Sequence, residues 1–314
     1  LPSYFFKKSF IGQQWLHMKN KIINKLRKII KRERYGLHYF LKDIISRDKV
    51  VVNYWIPPQS DPEFYNFGDD LNRDLVGLIS GKTVIPYTFS SISRLKKSVN
   101  YLCIGSVISQ LTNERTVIWG SGVLSPELPL KHKPLKVLAV RGPLSRDYLV
   151  KNGVDCPEIY GDPALLLSKY YQPVSYKKKY KIGIIPHYTD KNNPLLDIYK
   201  KYSGVYVFDV QNYGNYKLFI DTLCSCECVI SSSLHGLIIS DSYGIPNTWV
   251  EFSSGILGGH FKFIDYLLSV QRSFDNFPVE LTTFIPLDEL QSLAGDWQPP
   301  KVDARELMSV CPFK

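Results

Sequence analysis

The run Cys228-Val229-Ile230-Ser231-Ser232-Ser233-Leu234-His235-Gly236, continued by Leu237-Ile238-Ile239-Ser240-Asp241-Ser242-Tyr243-Gly244-Ile245-Pro246, decides the fold. A short apolar strand, Cys228–Ser231, gives way to three hydroxyls, then to His and Gly. An apolar stretch over Gly236–Tyr243 follows, predicted as a helix that stops at Gly244 and Pro246, and Asn247–Phe252 reads as the next strand. Strand, polar turn, helix and strand form the unit of a parallel α/β sheet. The same alternation extends upstream, with strands at Lys181–Pro186 and Val205–Val210 and a helix at Tyr216–Ser225. A polar, basic stretch at Lys169–Lys181 suits an exposed linker. Before it, strands are predicted at Val50–Ile56, Tyr101–Gly105, Thr116–Trp119 and Lys136–Val140, Ile159–Tyr160 leads into Gly161-Asp162-Pro163, and helices are predicted at Leu71–Leu78 and Ser145–Asn152. The expected architecture is α/β, with two Rossmann-like domains, 50–172 and 173–290, facing a central cleft. Residues 1–49 form a separate basic segment, and residues 291–314 form a tail with a short helix at Arg305–Val310. A chain of 314 residues exceeds what one core usually supports, which agrees with two domains.

Charge is unevenly placed. The net charge is +10, yet residues 1–50 hold 13 Lys/Arg against 3 Asp/Glu, leaving 26 of each in the rest. A body with no net excess argues against a nucleic-acid partner, which would need a basic working face. Between Lys19 and Arg34, Ile22, Ile23, Leu26, Ile29 and Ile30 recur with helical period, and Trp15 and Leu16 extend the stripe. Lys21, Lys25, Arg27, Lys28, Lys31 and Arg32 surround it. Such an amphipathic helix packs on the body, pairs with a second copy, or lies on an anionic membrane surface through residues 15–34. No apolar run of about 18 residues occurs, so no membrane span is expected. The chain begins at Leu1 rather than Met, so a true N-terminus upstream is expected. Of six cysteines, Cys224, Cys226 and Cys228 form a C-x-C-x-C run without any CxxC pair. Buried thiols in a reducing compartment are expected, with no metal site.

Six short motifs carry candidate chemistry. In Asn66-Phe67-Gly68-Asp69-Asp70-Leu71 an acid at a helix start either caps the helix or faces the cleft to bind or deprotonate a hydroxyl. Trp119-Gly120-Ser121-Gly122 follows a strand, where small residues let backbone approach a ligand. Arg141, opening Arg141-Gly142-Pro143-Leu144-Ser145, stands at a strand's end, suited to a carboxylate or phosphate or to an ion pair with a nearby acid. Asp162, in Gly161-Asp162-Pro163, serves a turn or a site, and His187 leaves a strand within Pro186-His187-Tyr188. Ser232, Ser233 and His235 sit where a helix begins, the position that favours an anion. A G-x-S-x-G elbow, a P-loop and a dinucleotide fingerprint are all absent from the sequence.

In this order, Asn66–Leu71, Trp119–Gly122, Arg141–Leu144, Gly161–Leu165, Pro186–Tyr188 and Ser231–Gly236 resemble the polysaccharide pyruvyl transferase family across roughly residues 50–270. The resemblance implies a GT-B-like pair of domains. It also implies a reaction that moves pyruvate from phosphoenolpyruvate onto two hydroxyls of one sugar and releases phosphate. Phosphoenolpyruvate is then a co-substrate, and no cofactor or metal is implied. Arg141 and His235 match positions expected to hold the donor. Some relatives carry Arg two residues before the histidine, where this chain has Ser233, and Lys262 is the candidate replacement charge. His235 or His187 would protonate the methylene, and Asp69 or Asp70 would assist the attacking hydroxyl. The acceptor would be a glycan of a bacterial surface polysaccharide or a lipid-linked oligosaccharide, reached by a cytoplasmic enzyme peripheral to the inner face of the membrane. Two alternatives stand beside this reading: a GT-B glycosyltransferase using a nucleotide sugar, and a non-catalytic scaffold held at a membrane by its basic helix.

Overall fold

The computed structural model describes residues 2–58, 60–174, 177–255 and 258–314, with side chains from Trp15 onward except Leu16. Two five-stranded sheets organise the chain. The first contains β1 (Lys49–Val52), β2 (Thr83–Pro86), β3 (Asn100–Leu102), β4 (Thr116–Trp119) and β5 (Lys136–Ala139), in the order β2-β1-β3-β4-β5. The second contains β6 (Tyr180–Ile185), β7 (Val205–Val207), β8 (Cys226–Ser231), β9 (Asn247–Glu251) and β10 (Val279–Glu280), in the order β10-β9-β8-β6-β7. Every pairing is parallel. Counted within itself, each sheet follows the doubly wound order 2-1-3-4-5. The strand order of such a sheet reverses between its first and third strands, and ligands bind outside the carboxyl ends there. The two reversal points lie between β1 and β3 and between β6 and β8. The α/β class and the paired Rossmann-like sheets therefore agree with the expectation.

Parallel strands covered on both faces must be apolar throughout. Val52, Ile85, Leu102, Ile118, Ile182, Ile184 and Ile230 are accordingly inaccessible to solvent. The Phe67–Ser80 helix begins at Asn66, whose side chain accepts from the Gly68 N–H at 3.1 Å, and ends at Gly81 with φ 67°. That left-handed stop suits glycine.

Several elements differ from expectation. β1 stops at Val52, and only the Asn53 N–H stays on the ladder, donating to the Tyr101 carbonyl at 2.8 Å. Residues 54–56 leave the sheet ahead of the Pro57-Pro58 pair. β7 likewise ends at Val207, and the Val210 carbonyl accepts from the Phe67 N–H of the other half at 2.8 Å. β2 and β10, of four and two residues, were not predicted because neither offers a long apolar run. Tyr160 adds one isolated parallel bridge, to Val140, beyond the end of β5. The helix after β8 starts at Leu234 rather than Gly236, so His235 belongs to its first turn. The last helix, Ala304–Ser309, returns to the first sheet, where the Trp119 indole N–H donates to the Leu307 carbonyl at 3.0 Å and Phe313 packs edge-on to Trp119.

The N-terminal helix runs Pro2–Ile45, well beyond the span predicted for it. Its described polar contacts with the body begin at Lys31. Lys31 pairs with Asp61 at 2.7 Å, Arg32 donates to the Pro57 carbonyl, and Tyr35 and Tyr39 pack on Phe89. Asp43 is buried beneath Ser90 and Ser93 and paired with Lys49. Upstream, Ile22, Leu26 and Ile30 are 54%, 53% and 54% exposed. Most of the stripe is therefore not packed on the body. Among the described residues no helix is long and apolar enough to cross a membrane.

Candidate active site

Both reversal points open onto one cavity of about 180 Å³. Trp55 follows β1, and Ser106, Val107 and Gln110 follow β3. His187 and Tyr188 follow β6, and Ser233, Leu234 and His235 follow β8. Tyr65, Asn66 and Asp69 enter from the start of the Phe67–Ser80 helix, and Leu124 enters from the loop after β4. Lys262 enters from the helix Phe261–Ser269 of the second half.

The two adjacent acids have separate uses. The Asp70 carboxylate accepts from the Tyr65 N–H at 2.9 Å, the Asn66 N–H at 3.2 Å and the Tyr213 hydroxyl at 2.8 Å. It is buried and ties the turn to the other half, so it does not line the cavity. Burial pushes it up to about 7, against the pull of the Tyr213 hydroxyl and Arg73. Asp69 lines the cavity and stays partly accessible through it, although protein surrounds it. Burial and the neighbouring Asp70 push Asp69 up to about 8, opposed by Lys262.

His235 lies close against the start of the Phe67–Ser80 helix. A Cβ on Gly68 would fall 2.1 Å from the His235 Nδ1, so only glycine leaves room for the ring. The His235 Nε2 is buried and has no hydrogen-bond partner among the described residues. Burial, Arg141 and Lys262 lower His235 to about 3, and burial with Lys262 does the same to His187. Enclosure and the nearby cations thus disfavour the charged form of both imidazoles. The helix Leu234–Ser242 has no side-chain cap, so its first N–H groups remain suited to an anion. Lys262 is buried, and burial with Arg141 lowers it to about 8, opposed by Asp69.

Other expected site residues support the walls. Ser232 is inaccessible; its hydroxyl accepts from the His187 N–H at 2.9 Å and donates to Asp190 at 2.7 Å. Asp162 is inaccessible and caps a turn by accepting from the Ala164 N–H at 2.9 Å. Gly120, Ser121 and Gly122 do not line the cavity. A Cβ on Gly120 would fall 2.2 Å from Pro163, and one on Gly122 would fall 2.3 Å from the Arg141 guanidinium. The Ser121 hydroxyl donates to the Gly105 carbonyl at 2.8 Å. These glycines give clearance to protein rather than to a ligand.

Arg141 is likewise inaccessible and does not line the cavity. Its guanidinium donates to Asp265 at 3.0 Å, to the Val123 carbonyl at 2.9 Å and to the Ser106 hydroxyl. Asp265 also accepts from the Ser145 N–H at 2.9 Å and the Ser145 hydroxyl at 2.6 Å. The Arg-Gly-Pro-Leu-Ser motif thus locks the two halves together, and its charge stands one hydroxyl behind the cavity wall. Trp55, Tyr65, Gln110 and Asp265 were missed as site residues. Trp55 before Pro57 and Tyr65 before Asn66 carried a signal in their positions beside turns; Gln110 and Asp265 carried none.

The two reversal points of this α/β protein thus share a cavity lined by Asp69, Lys262, His187 and His235. The family model for polysaccharide pyruvyl transferase matches residues 34–254. The chain belongs to this family, and it is accordingly a transferase. It is 30% identical over 241 residues to "Uncharacterized protein L143" of Acanthamoeba polyphaga mimivirus, covering 75% of this chain and 74% of that protein. It is 28% identical over 218 residues to "Succinoglycan biosynthesis protein ExoV" of Rhizobium meliloti (strain 1021), covering 68% of this chain and 62% of that protein. Among solved structures, an uncharacterized protein, KP1_0663, from Klebsiella pneumoniae matches at 15% identity with TM-score 0.40, covering 81% of this chain and 99% of the other.

Gly68→Ala is expected to fold yet lose transferase activity about a hundredfold, because the ring of His235 must shift by roughly an ångström or more. Circular dichroism with steady-state kinetics checks both halves of that outcome.

Proposed function

We propose that the protein transfers pyruvate from phosphoenolpyruvate to two hydroxyls of a sugar in a polysaccharide or its lipid-linked precursor, forming a ketal and releasing phosphate. The observation that carries this reading is the meeting of Asp69, Lys262 and the unpartnered His235 Nε2 on one cavity among the described residues. The two halves are read as a GT-B-like pair.

Lys262, the uncapped start of the helix Leu234–Ser242 and a His235 N–H would hold the phosphate and carboxylate. Asp69, raised to about 8, carries its proton at neutral pH and would deliver it to the methylene carbon. The C2 centre then accepts the oxygen of one sugar hydroxyl, whose proton returns to Asp69. Phosphate leaves with the C–O electron pair, the second hydroxyl oxygen bonds to C2, and its proton departs on the phosphate. Two hydroxyl protons are thereby accounted for, one in the new methyl group and one on phosphate. The scheme calls for no cofactor.

Phosphate release that requires both phosphoenolpyruvate and a glycan, with a carboxyethylidene group gained by the glycan, is the expected result. Stabilisation by nucleotide sugars, with none by phosphoenolpyruvate, would replace this reading with glycosyl transfer. Because protonated Asp69 and protonated Lys262 are the working forms, kcat/KM is expected to fall as pH rises past about 8. The falling limb belongs to the coupled pair. Lys262→Arg should move it upward, and an unmoved limb would assign it to Asp69 alone.

The exposed stripe with Trp15, Lys21, Lys25 and Lys28 is read as an amphipathic anchor on an anionic membrane, at the inner face of the cytoplasmic membrane. Flotation with phosphatidylglycerol vesicles but not with phosphatidylcholine vesicles is expected. Equal binding to both would remove the electrostatic part of the proposal.

A further inference from the structure

The cavity's outer wall has a chemistry that a trianionic donor does not use. Trp55 is 43% exposed just beyond the carboxyl end of β1. Tyr65 and Tyr188 stand beside the same cavity with ring centroids 6.4 Å apart, and Tyr188 packs on His187 at 4.3 Å. Val107 and Leu124 add apolar surface. The three aromatic side chains come from both halves of the protein. Asp69 lines the same cavity as Lys262, Tyr65 and Tyr188 and is within electrostatic reach of all three.

Gln110 supplies an independent observation. It lines the cavity, and its buried side-chain carbonyl oxygen has no hydrogen-bond partner among the described residues. A buried acceptor left unmatched is costly, so a ligand that donates is called for. Phosphoenolpyruvate, fully ionised, has no donor to offer. A sugar has hydroxyl donors at its edge and an apolar C–H face for an aromatic ring.

We infer that Trp55, Tyr65, Tyr188 and Gln110 form the acceptor subsite, in which a pyranose lies against the aromatic wall, donates a hydroxyl to Gln110 and presents its reacting hydroxyl pair to Asp69. This deepens the pyruvyl-transfer reading and rests on it for the direction of the hydroxyl pair. These residues position and select the acceptor, while the donor is held by the opposite wall.

The test uses the full chain and its Trp55→Ala, Trp55→Phe and Gln110→Ala variants. Methyl glucopyranoside, galactopyranoside and mannopyranoside serve as binding probes in saturation-transfer NMR, and phosphoenolpyruvate binding is measured separately by thermal shift. At least one glycoside should bind the wild type, with saturation strongest on its C–H face. Trp55→Ala and Gln110→Ala should weaken that binding about tenfold or more, Trp55→Phe should largely retain it, and phosphoenolpyruvate affinity should stay within about twofold throughout. Glycoside binding that is absent from the wild type, or unchanged in Trp55→Ala and Gln110→Ala, overturns the subsite. Glycoside binding lost in those variants from a protein that never binds phosphoenolpyruvate upholds the subsite and defeats the donor assignment instead.

Discussion

Asp69→Asn is expected to lower kcat by about a thousandfold while leaving the fold and donor affinity nearly intact, a loss within the range of roughly 10²–10⁴ for a positioned acid or base. Asn keeps the shape of the side chain and removes its proton transfer. Asp70→Asn provides the contrast. Asp70 accepts three hydrogen bonds that hold the turn and Tyr213, so its replacement should show mainly as lost stability. Steady-state kinetics beside urea unfolding separates the two outcomes. Equal kinetic losses without destabilisation in Asp70→Asn would reverse the assignment.

Asp265→Ala is expected to have the largest effect on stability. The carboxylate is fully buried against Arg141, which is fully buried as well. Removing one partner of such a pair leaves an uncompensated charge, at a cost of about 3–5 kcal/mol. The Ser145 N–H and hydroxyl lose their acceptor in the same step. Replacing Arg141 and Asp265 together by apolar residues should cost less than the two single changes added, since no lone charge remains. Urea midpoints for the three variants measure this coupling. Additive losses would show that Arg141 works independently of Asp265, as a direct ligand of the donor would.

Much of the architecture was legible along the chain. Apolar strands alternating with polar turns and helices specify parallel pairing, since a crossover connection is what returns the chain to a parallel neighbour. The Ser-Ser-Ser-Leu-His-Gly turn marked the end of β8, and Asn66-Phe67-Gly68-Asp69 marked a capped helix. Short edge strands such as β10 escaped notice because two residues bear no periodic pattern. The stripe around Leu26 was visible as a helix, but its exposure was not, since a periodic face looks the same whether covered or bare.

The site divides along the same line. Residue types and turn positions singled out Asp69 and His235 as candidates, because local chemistry and its place at a strand or helix end are written in adjacent residues; Lys262 came from the family resemblance. Which acid faces the cavity depended on Tyr213, 143 residues away from Asp70, and the burial of Arg141 depended on Asp265, 124 residues away. The lowered basicity of His235 arises from enclosure and from neighbours on other elements. By itself the sequence determined the central strands and helices, their parallel pairing and the chemically able residues. Only the tertiary structure decided which of them meet, since desolvation and charge pairing act through space between residues that the chain keeps far apart.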